Sequence, residues 1–198
     1  MWSSTDDNAK RPAQGTITLI TGCMFAGKTQ LVLSMLRRVP ESKRMAFKHV
    51  IDDRYQIDAI VSHNGDRLSA MRIASPAELI DHAHAGIDLI AIEEAHFFDS
   101  AIVDAARTLA WRGVDVILTG LDFDTWGTPI PIIEKLSTIA DRRIVRQATC
   151  ARCGAVADRT HRLTPIIDGN LIGGSESFEP RCQSCWSPPP EPRPRYTH

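Results

Sequence analysis

The sequence has little net charge and no long apolar run. Its 198 residues carry 23 lysines and arginines against 24 aspartates and glutamates, which gives a net charge of −1. A chain so close to neutral has no electrostatic footprint for nonspecific binding to nucleic acid. No stretch approaches the roughly 20 apolar residues that a membrane-spanning helix needs. We therefore expect neither nucleic acid nor a membrane among the partners of this protein.

The two ends of the sequence lack the features of an export signal and of packed elements. Residues 1–14 are polar and have no apolar segment of the kind found in signal peptides. Residues 187–198 are rich in proline, which is typical of a loose tail. We expect both segments to be disordered and the protein to be cytoplasmic. Structural disulfides are rare in the cytosol, so the five cysteines point to another role.

Between these ends, the pattern of apolar residues predicts an α/β protein. Short runs rich in β-branched residues predict strands at residues 16–20, 45–47, 88–92, 114–118 and 143–148. Helical spacing predicts helices at residues 28–39, 100–111 and 132–139, and Ser75-Pro76-Ala77-Glu78 predicts the start of another. Alternating strands and helices predict a mostly parallel sheet that is covered on both faces. A change of pattern at Cys150 divides this region into an α/β domain, residues 15–149, and a small domain, residues 150–186.

The segment that follows the first predicted strand matches the phosphate-loop pattern G-x-x-x-x-G-K-[ST]. Its residues are Gly22, Cys23, Met24, Phe25, Ala26, Gly27, Lys28 and Thr29. The glycines allow a tight turn whose N–H groups point at phosphate oxygens, and the helix that follows adds its positive end. We expect Lys28 to reach the β- and γ-phosphates of a nucleoside triphosphate and the Thr29 hydroxyl to ligate Mg²⁺. The alternative is a tight glycine turn that binds nothing.

Two carboxylates, Glu93 and Glu94, follow the apolar run at residues 88–92. In a doubly wound sheet, the carboxyl ends of the strands face the ligand crevice. We expect one of them to hold Mg²⁺, directly or through water, and the other to orient or deprotonate an acceptor hydroxyl, with Glu93 at the usual position of the metal-binding carboxylate. These two groups would turn nucleotide binding into phosphoryl transfer. The alternative is a solvated strand end followed by a loop.

Four of the cysteines form two pairs, Cys150-x-x-Cys153 and Cys182-x-x-Cys185. This spacing is typical of zinc ribbons, and four thiolates complete a tetrahedral Zn²⁺ site without an open position. We therefore predict a structural zinc. The metal would fix both ends of residues 155–181, which could then act as a lid. Reducible disulfides or inert thiols are the alternative.

Taken in their order along the chain, the motifs resemble those of the zinc-containing thymidine kinases of animals, bacteria and large DNA viruses. The resemblance covers roughly residues 15–186. Besides the phosphate loop and the four cysteines, it rests on Lys48-x-x-x-Asp52-x-Arg54-Tyr55, Ser62-His63-x-Gly65, Ile92-Glu93-Glu94-x-x-Phe97-Phe98, Gly120-Leu121-Asp122, Ala140-Asp141, Thr160-x-Arg162 and Ile172-Gly173-Gly174. No piece is decisive alone, but the ordered set is highly specific.

The resemblance implies a P-loop α/β domain with a small zinc-ribbon domain that carries a lasso loop, assembled as a homotetramer or homodimer. It implies that ATP, with Mg²⁺, phosphorylates the 5′-hydroxyl of thymidine, a reaction of nucleotide salvage that yields dTMP. Glu94 falls on the position of the catalytic base. Besides the phosphate loop, the implied ATP-binding positions are Asp52, Asp53, Arg54, Glu93, Glu94, Ala95 and His96. The implied nucleoside-binding positions are Met24, Phe97, Leu121, Thr125, Gly169, Asn170, Leu171, Ile172, Gly173 and Phe178, of which Gly169 to Phe178 belong to the lasso.

The sequence departs from the family pattern at three places. The family usually has Asp-Glu-Gly-Gln where this chain has Glu93-Glu94-Ala95-His96, and it usually has Tyr where this chain has Phe178. A phenylalanine of the base pocket aligns with Thr125, and the neighbouring Trp126 offers a replacement ring. Two alternatives therefore stay open beside a thymidine kinase. They are a kinase of the same fold for another nucleoside and a nucleotide-binding regulator without turnover.

Overall fold

The computed structural model describes residues 14–52, 59–61, 65–165 and 173–192. The strands in this part of the chain are β1 (Ile17–Thr21), β2 (Arg44–His49), β3 (Ala59–Val61), β4 (Arg67–Ser69), β5 (Met71–Ile73), β6 (Leu89–Glu93), β7 (Asp115–Gly120), β8 (Arg142–Val145), β9 (Ala148–Thr149), β10 (Val156–Ala157), β11 (Arg159–Arg162) and β12 (Phe178–Arg181). The α-helices are α1 (Lys28–Leu36), α2 (Pro76–His82), α3 (Ala101–Trp111) and α4 (Pro131–Ile139), and single turns of 3-10 helix lie at Glu41–Lys43 and Ala95–Phe97. None of the helices in the described ranges is long and apolar enough to cross a membrane.

Six strands form one parallel sheet in the spatial order β5-β2-β6-β7-β1-β8. Every residue of β1 and β6 is buried, as expected for central strands that are covered on both faces. The predicted α/β fold with a parallel sheet is therefore confirmed. Strand β5 and the antiparallel hairpin of β3 and β4 were not predicted, because each has only three residues and shows no usable alternation.

Each face of the sheet has its own helices, because successive side chains of a strand point to opposite faces. Helix α1 covers one face, where Leu33 and Leu36 share an apolar cluster with Ile20 of β1. Helices α2, α3 and α4 cover the other face, where Leu19 of β1 shares a cluster with Leu109 of α3. The sequence specifies this layering through apolar residues at helical spacing in the helices and on both sides of the strands.

The strand predicted at residues 143–148 is divided in the structure. Strand β8 ends at Val145, and β9 pairs with β10 in a separate two-stranded sheet. The division follows from β1, which ends at Thr21 where the chain turns into the phosphate loop. The Arg146 N–H donates to the Thr21 carbonyl oxygen over 2.7 Å. Beyond that bond the chain leaves the large sheet.

Strands β9 to β12 form two antiparallel pairs, β9–β10 and β11–β12, and all but β9, which ends at Thr149, lie in the predicted small domain, residues 150–186. Cys150 directly follows β9 and Cys182 directly follows β12, so each cysteine pair lies where a strand ends. The Ala151 N–H donates to the Pro180 carbonyl oxygen of β12 over 2.9 Å, which ties the first cysteine turn to the second strand pair. The two pairs of cysteines are thereby brought together.

Candidate active site

The carboxyl ends of the parallel strands meet at one edge of the large sheet, and the predicted site residues follow them. Strand β1 leads into the phosphate loop, β6 into Glu94 and β7 into Leu121. Strand β2 leads towards Asp52, which is buried, and β8 leads into Arg146. This edge is where ligands bind in open α/β sheets. The candidate active site therefore consists of segments that are far apart in sequence and adjacent in the sheet.

The phosphate loop makes its turns at residues with positive φ. Gly22 has φ of 141° and Gly27 has φ of 74°, a region that glycine adopts without a Cβ penalty. A Cβ at Gly22 would also overlap the carbonyl oxygen of Arg146, so this position requires glycine for space as well as for backbone conformation. Gly27 is the N-cap residue of α1, which begins at Lys28. The loop thus leads directly into the N-terminus of a helix, as in other anion-binding loops.

The side chain of Lys28 folds back across the phosphate loop. Its ammonium group is buried and donates to the carbonyl oxygens of Gly22 and Cys23, over 3.0 and 2.8 Å. The Lys28 ammonium also interacts electrostatically with the carboxylate of Asp122, which follows β7. Burial raises the pKa of the Asp122 carboxyl, and the Lys28 ammonium opposes that rise. The Lys28 ammonium is therefore held where the triphosphate is expected to bind, and it interacts with the Asp122 carboxylate.

The two predicted magnesium ligands are in direct contact. The Thr29 hydroxyl, in the first turn of α1, donates to Oε1 of Glu93 at the end of β6. Hydroxyl and carboxylate oxygens are the hard ligands that Mg²⁺ prefers, and Mg²⁺ is usually held by few protein groups together with phosphate oxygens. The donor set therefore fits the ion. The register of β2 and β6 also places the buried Lys48 beside Glu93.

Glu94 has a backbone conformation that is uncommon for a residue with a side chain. Its φ and ψ are 51° and 48°, in the left-handed region, directly after the last residue of β6. The Glu94 N–H donates to Oγ1 of Thr119 on β7 over 3.1 Å, and the Glu94 carbonyl accepts from the Phe97 N–H over 3.0 Å. Such conformations persist only where their surroundings fix them, and they are concentrated at functional sites. Glu94 is held in a defined orientation from two sides.

His96 joins Glu94 to the loop after β7. Its Nδ1 lies 3.3 Å from Oε2 of Glu94 and accepts from the Leu121 N–H over 3.4 Å. The ring centroid of Phe97 lies 4.3 Å from that of His96. The structure therefore brings together four of the predicted site residues, namely Glu94, His96, Phe97 and Leu121.

The small domain packs directly on the phosphate loop. The Met24 N–H donates to Oγ1 of Thr160 on β11 over 3.1 Å, and both residues are buried. The Cys23 thiol donates to the Ala157 carbonyl oxygen over 3.5 Å. Burial raises the pKa of this thiol, so it stays protonated and can donate. Cys23 is thus a contact between the phosphate loop and β10.

Two of the predicted nucleoside-binding residues of the small domain, Gly173 and Phe178, lie in the described part of the chain. Phe178 is buried and pairs with Arg162 of β11, whose guanidinium lies over the Phe178 ring, 5.1 Å from its centroid. Gly173 lies against the same ring, because a Cβ there would be 3.2 Å from Cε2 of Phe178. The predicted residues Asp53, Arg54 and Gly169 to Ile172 lie outside the described residues.

The loop with Thr125 is held by Asp124. Its Oδ1 accepts from the N–H groups of Trp126 and Thr128, over 2.9 and 2.8 Å. The Trp126 indole N–H donates to the carbonyl oxygen of Glu191 over 3.0 Å. The proline-rich tail therefore contacts the ring that the sequence offers as a replacement aromatic, and Thr125 lies between these two fixed residues.

The four paired cysteines converge to a single cluster. Their sulfur atoms all lie within 4.8 Å of one another, and the Sγ atoms of Cys153 and Cys182 are 3.6 Å apart. Sulfurs about 2.3 Å from a tetrahedral Zn²⁺ would be about 3.8 Å apart, so the cluster fits the ion. A disulfide needs a sulfur–sulfur distance near 2.05 Å, and all the cysteines are free thiols. Disulfide pairing is therefore excluded in this structure.

Three polar residues of this site were not predicted from the sequence. Thr119 fixes Glu94, Thr160 supports the phosphate loop, and Arg146 donates from Nε to the Ala26 carbonyl oxygen over 3.2 Å. Thr160 belongs to the motif Thr160-x-Arg162, although that motif gave it no role, and for Thr119 and Arg146 the available signal was a position in or directly after a predicted strand. Recognising them required the order of the strands in space.

Comparison with known proteins agrees with the geometry. The chain is 40% identical over 196 residues to a thymidine kinase of Mesoplasma florum, with 91% of this chain and 95% of that protein covered. Residues 15–186 match the thymidine kinase family. This range begins just before β1 and ends at the residue after Cys185, so it includes the sheet edge and the cysteine cluster. The chain therefore belongs to the thymidine kinase family.

Proposed function

We propose that the chain transfers the γ-phosphoryl group of ATP to the 5′-hydroxyl of thymidine and so produces dTMP for nucleotide salvage. The observation that carries this proposal is a juxtaposition at one sheet edge, in a member of the thymidine kinase family. The phosphate loop, the Thr29–Glu93 pair and the fixed Glu94 lie together there. They are the parts that phosphoryl transfer requires, namely a phosphate cradle, a magnesium site and a group that accepts the proton of the acceptor.

The donor would bind along the phosphate loop. The N–H groups of residues 27–29 would surround the β-phosphate, and Lys28 would move its ammonium from the Gly22 and Cys23 carbonyls to the phosphate oxygens. Mg²⁺, held by Thr29 and Glu93, would neutralise the charge that develops on the β- and γ-oxygens. The loop and the helix end hold the donor in one orientation, which is the main contribution a protein makes to this chemistry.

Glu94 would act on the acceptor. As the 5′-oxygen forms its bond to the γ-phosphorus, the bond from that phosphorus to the bridging oxygen breaks and ADP leaves. The proton of the 5′-hydroxyl passes to the Glu94 carboxylate. Because a carboxylate is a weak base, this proton moves late, and the orientation set by Thr119 and His96 matters more than basicity.

The small domain would complete the nucleoside site. A zinc ion on the four cysteines would hold β9 and β12 together and fix the lasso above the sheet edge. Met24, Phe97, Leu121, Thr125, Gly173 and Phe178, with the lasso residues Gly169 to Ile172, are the proposed contacts to the base and sugar. The proposed ATP contacts beyond the loop are Asp52, Asp53, Arg54 and the segment Glu93 to His96. A homotetramer or homodimer and a cytoplasmic location stay predictions from the sequence.

The test is a kinase assay with purified protein, ATP, Mg²⁺ and a panel of nucleosides. Thymidine is expected to be the preferred acceptor, with dTMP and ADP formed in equal amounts. Glu94→Gln should lower kcat by about 10²–10⁴-fold, because the proton acceptor is lost, and the variant should still bind ATP, because the phosphate loop is intact. Preference for another nucleoside would favour the diverged kinase. Tight ATP binding with no acceptor phosphorylated would favour the regulator and contradict this proposal.

A further inference from the structure

Arg146 is fixed by its backbone against the start of the phosphate loop. Its N–H donates to the carbonyl oxygen of Thr21, the last residue of β1, over 2.7 Å. Its own carbonyl oxygen lies so close to Gly22 that a Cβ there would overlap it. The turn after β8 and the turn after β1 therefore pack backbone to backbone. These backbone contacts to Thr21 and Gly22 determine the direction in which the Arg146 side chain points.

The Arg146 side chain extends along the outside of the loop to the start of α1. Its Nε donates to the Ala26 carbonyl oxygen over 3.2 Å, and its Nη2 would lie 3.5 Å from a Cβ placed on Gly27. Gly27 is the N-cap of α1, so the guanidinium adds a full positive charge next to the partial positive charge of the helix end. Among the ion pairs of the described residues, none involves Arg146.

This arrangement differs from that of an arginine that only supports structure. One donor, Nε, holds the Ala26 carbonyl, which leaves the donors on both terminal nitrogens for a ligand. A guanidinium presents its donors in a planar fork that matches two phosphate oxygens at once. The side chain is largely exposed at the sheet edge, so a bound nucleotide can reach it.

We propose that Arg146 is a second cation of the donor site and contacts the α- and β-phosphates of the nucleotide from the outer side of the loop, opposite Lys28. The inference rests on the proposed function only in that the loop binds ATP. The contact is electrostatic, and it is made to ATP and ADP alike, because both carry these two phosphates. Arg146 therefore raises affinity for the donor and has no part in accepting the proton or in holding the nucleoside.

The test measures dissociation constants for ATP and ADP by calorimetry, at low and at high salt, for the wild type and three variants. Arg146→Gln is expected to weaken binding of both nucleotides about tenfold at low salt and to reduce the salt dependence, because one cation is lost. Arg146→Lys keeps the charge and is expected to recover at least half of that loss on a logarithmic scale. Arg143→Gln is the matched control, since Arg143 lies on β8, the strand that leads into Arg146, and donates to the Ser137 hydroxyl, away from the loop. It should bind like the wild type.

Other outcomes overturn the proposal. If Arg146→Gln binds both nucleotides within twofold of the wild type, the arginine does not contact the donor. If Arg146→Lys is as weak as Arg146→Gln, or if the affinity lost in Arg146→Gln is the same at high salt as at low salt, the role of Arg146 is to hold the Ala26 carbonyl. The proposed function is judged separately, by whether the wild type phosphorylates a nucleoside. The KM for the nucleoside should stay unchanged in Arg146→Gln.

Discussion

The hydrogen bond from Met24 to Thr160 joins the phosphate loop to the small domain. Replacing Thr160 by valine tests how much this bond contributes to stability and to ATP binding. Thr160 is 1% exposed and Met24 is 9% exposed, so water cannot replace the lost partner. Valine has nearly the same shape, so the substitution leaves no cavity and removes only the Oγ1 that accepts the Met24 N–H over 3.1 Å. A buried N–H without an acceptor costs about 1–3 kcal/mol.

This free-energy cost corresponds to a measurable decrease in melting temperature. In a protein of this size, each kcal/mol lowers the melting temperature by about 2–4 °C, so Thr160→Val should melt about 2–12 °C below the wild type. Part of the cost can instead be relieved by a shift of the loop at Met24. In that case the dissociation constant for ATP rises, because the N–H groups of the loop no longer point at one place. Thermal unfolding and ATP titration are therefore measured on the same preparation.

Two variants keep the result interpretable. Thr160→Ser retains the hydroxyl and should recover most of the lost stability and affinity. Thr138→Val is the control, because Thr138 is exposed and its hydroxyl donates to the Lys135 carbonyl within α4. Surface substitutions of this kind stay within about 0.5 kcal/mol. The reasoning is refuted if Thr160→Val and Thr138→Val melt at the same temperature and bind ATP equally well.

Three further predictions concern the metals and the loop. Removal of zinc by a chelator should raise the dissociation constant for ATP, because the phosphate loop packs on the small domain. The substitution Cys185→Ser should release the metal and have the same effect on ATP binding. Metal analysis together with ATP titration checks both. Gly22→Ala should reduce ATP affinity at least about tenfold, through overlap with the Arg146 carbonyl, whereas a Cβ at Gly86, also at positive φ, meets nothing within 4 Å, so Gly86→Ala should leave ATP binding intact. Glu93→Gln should raise the Mg²⁺ concentration needed for half-maximal activity more than it raises the KM for ATP, and an unchanged Mg²⁺ requirement would contradict the assignment.

The family and the fold class could be predicted from local patterns. The phosphate loop, the acidic strand end and the cysteine pairs are short motifs, and each depends on chemistry that needs given residue types at a given spacing. The family and the α/β fold are confirmed. The one strand predicted at residues 143–148 was wrong in its extent, because its end depends on where β1 ends, and β1 is far away in the sequence.

The candidate site could be predicted only in part. Glu93 and Glu94 were predicted as a metal ligand and a base, and their roles stay proposals. The left-handed backbone of Glu94 and its bond to Thr119 could not be predicted, since they depend on β7 lying beside β6. The contact between His96 and Glu94 likewise needs a turn of 3-10 helix that brings the ring back over the strand end.

By itself, the sequence determined the elements whose signals are local. These are the glycines that turn the phosphate loop, Lys28 and Thr29 at the start of a helix, the carboxylates after an apolar strand and the cysteine spacing that suits a tetrahedral metal. The tertiary structure alone decided which distant groups meet that loop. The sheet order places β8 beside β1, which brings Arg146 to Ala26, and the fold of the small domain brings Thr160 to Met24. Such contacts join residues more than 100 positions apart, where no periodicity or spacing in the chain carries information about them.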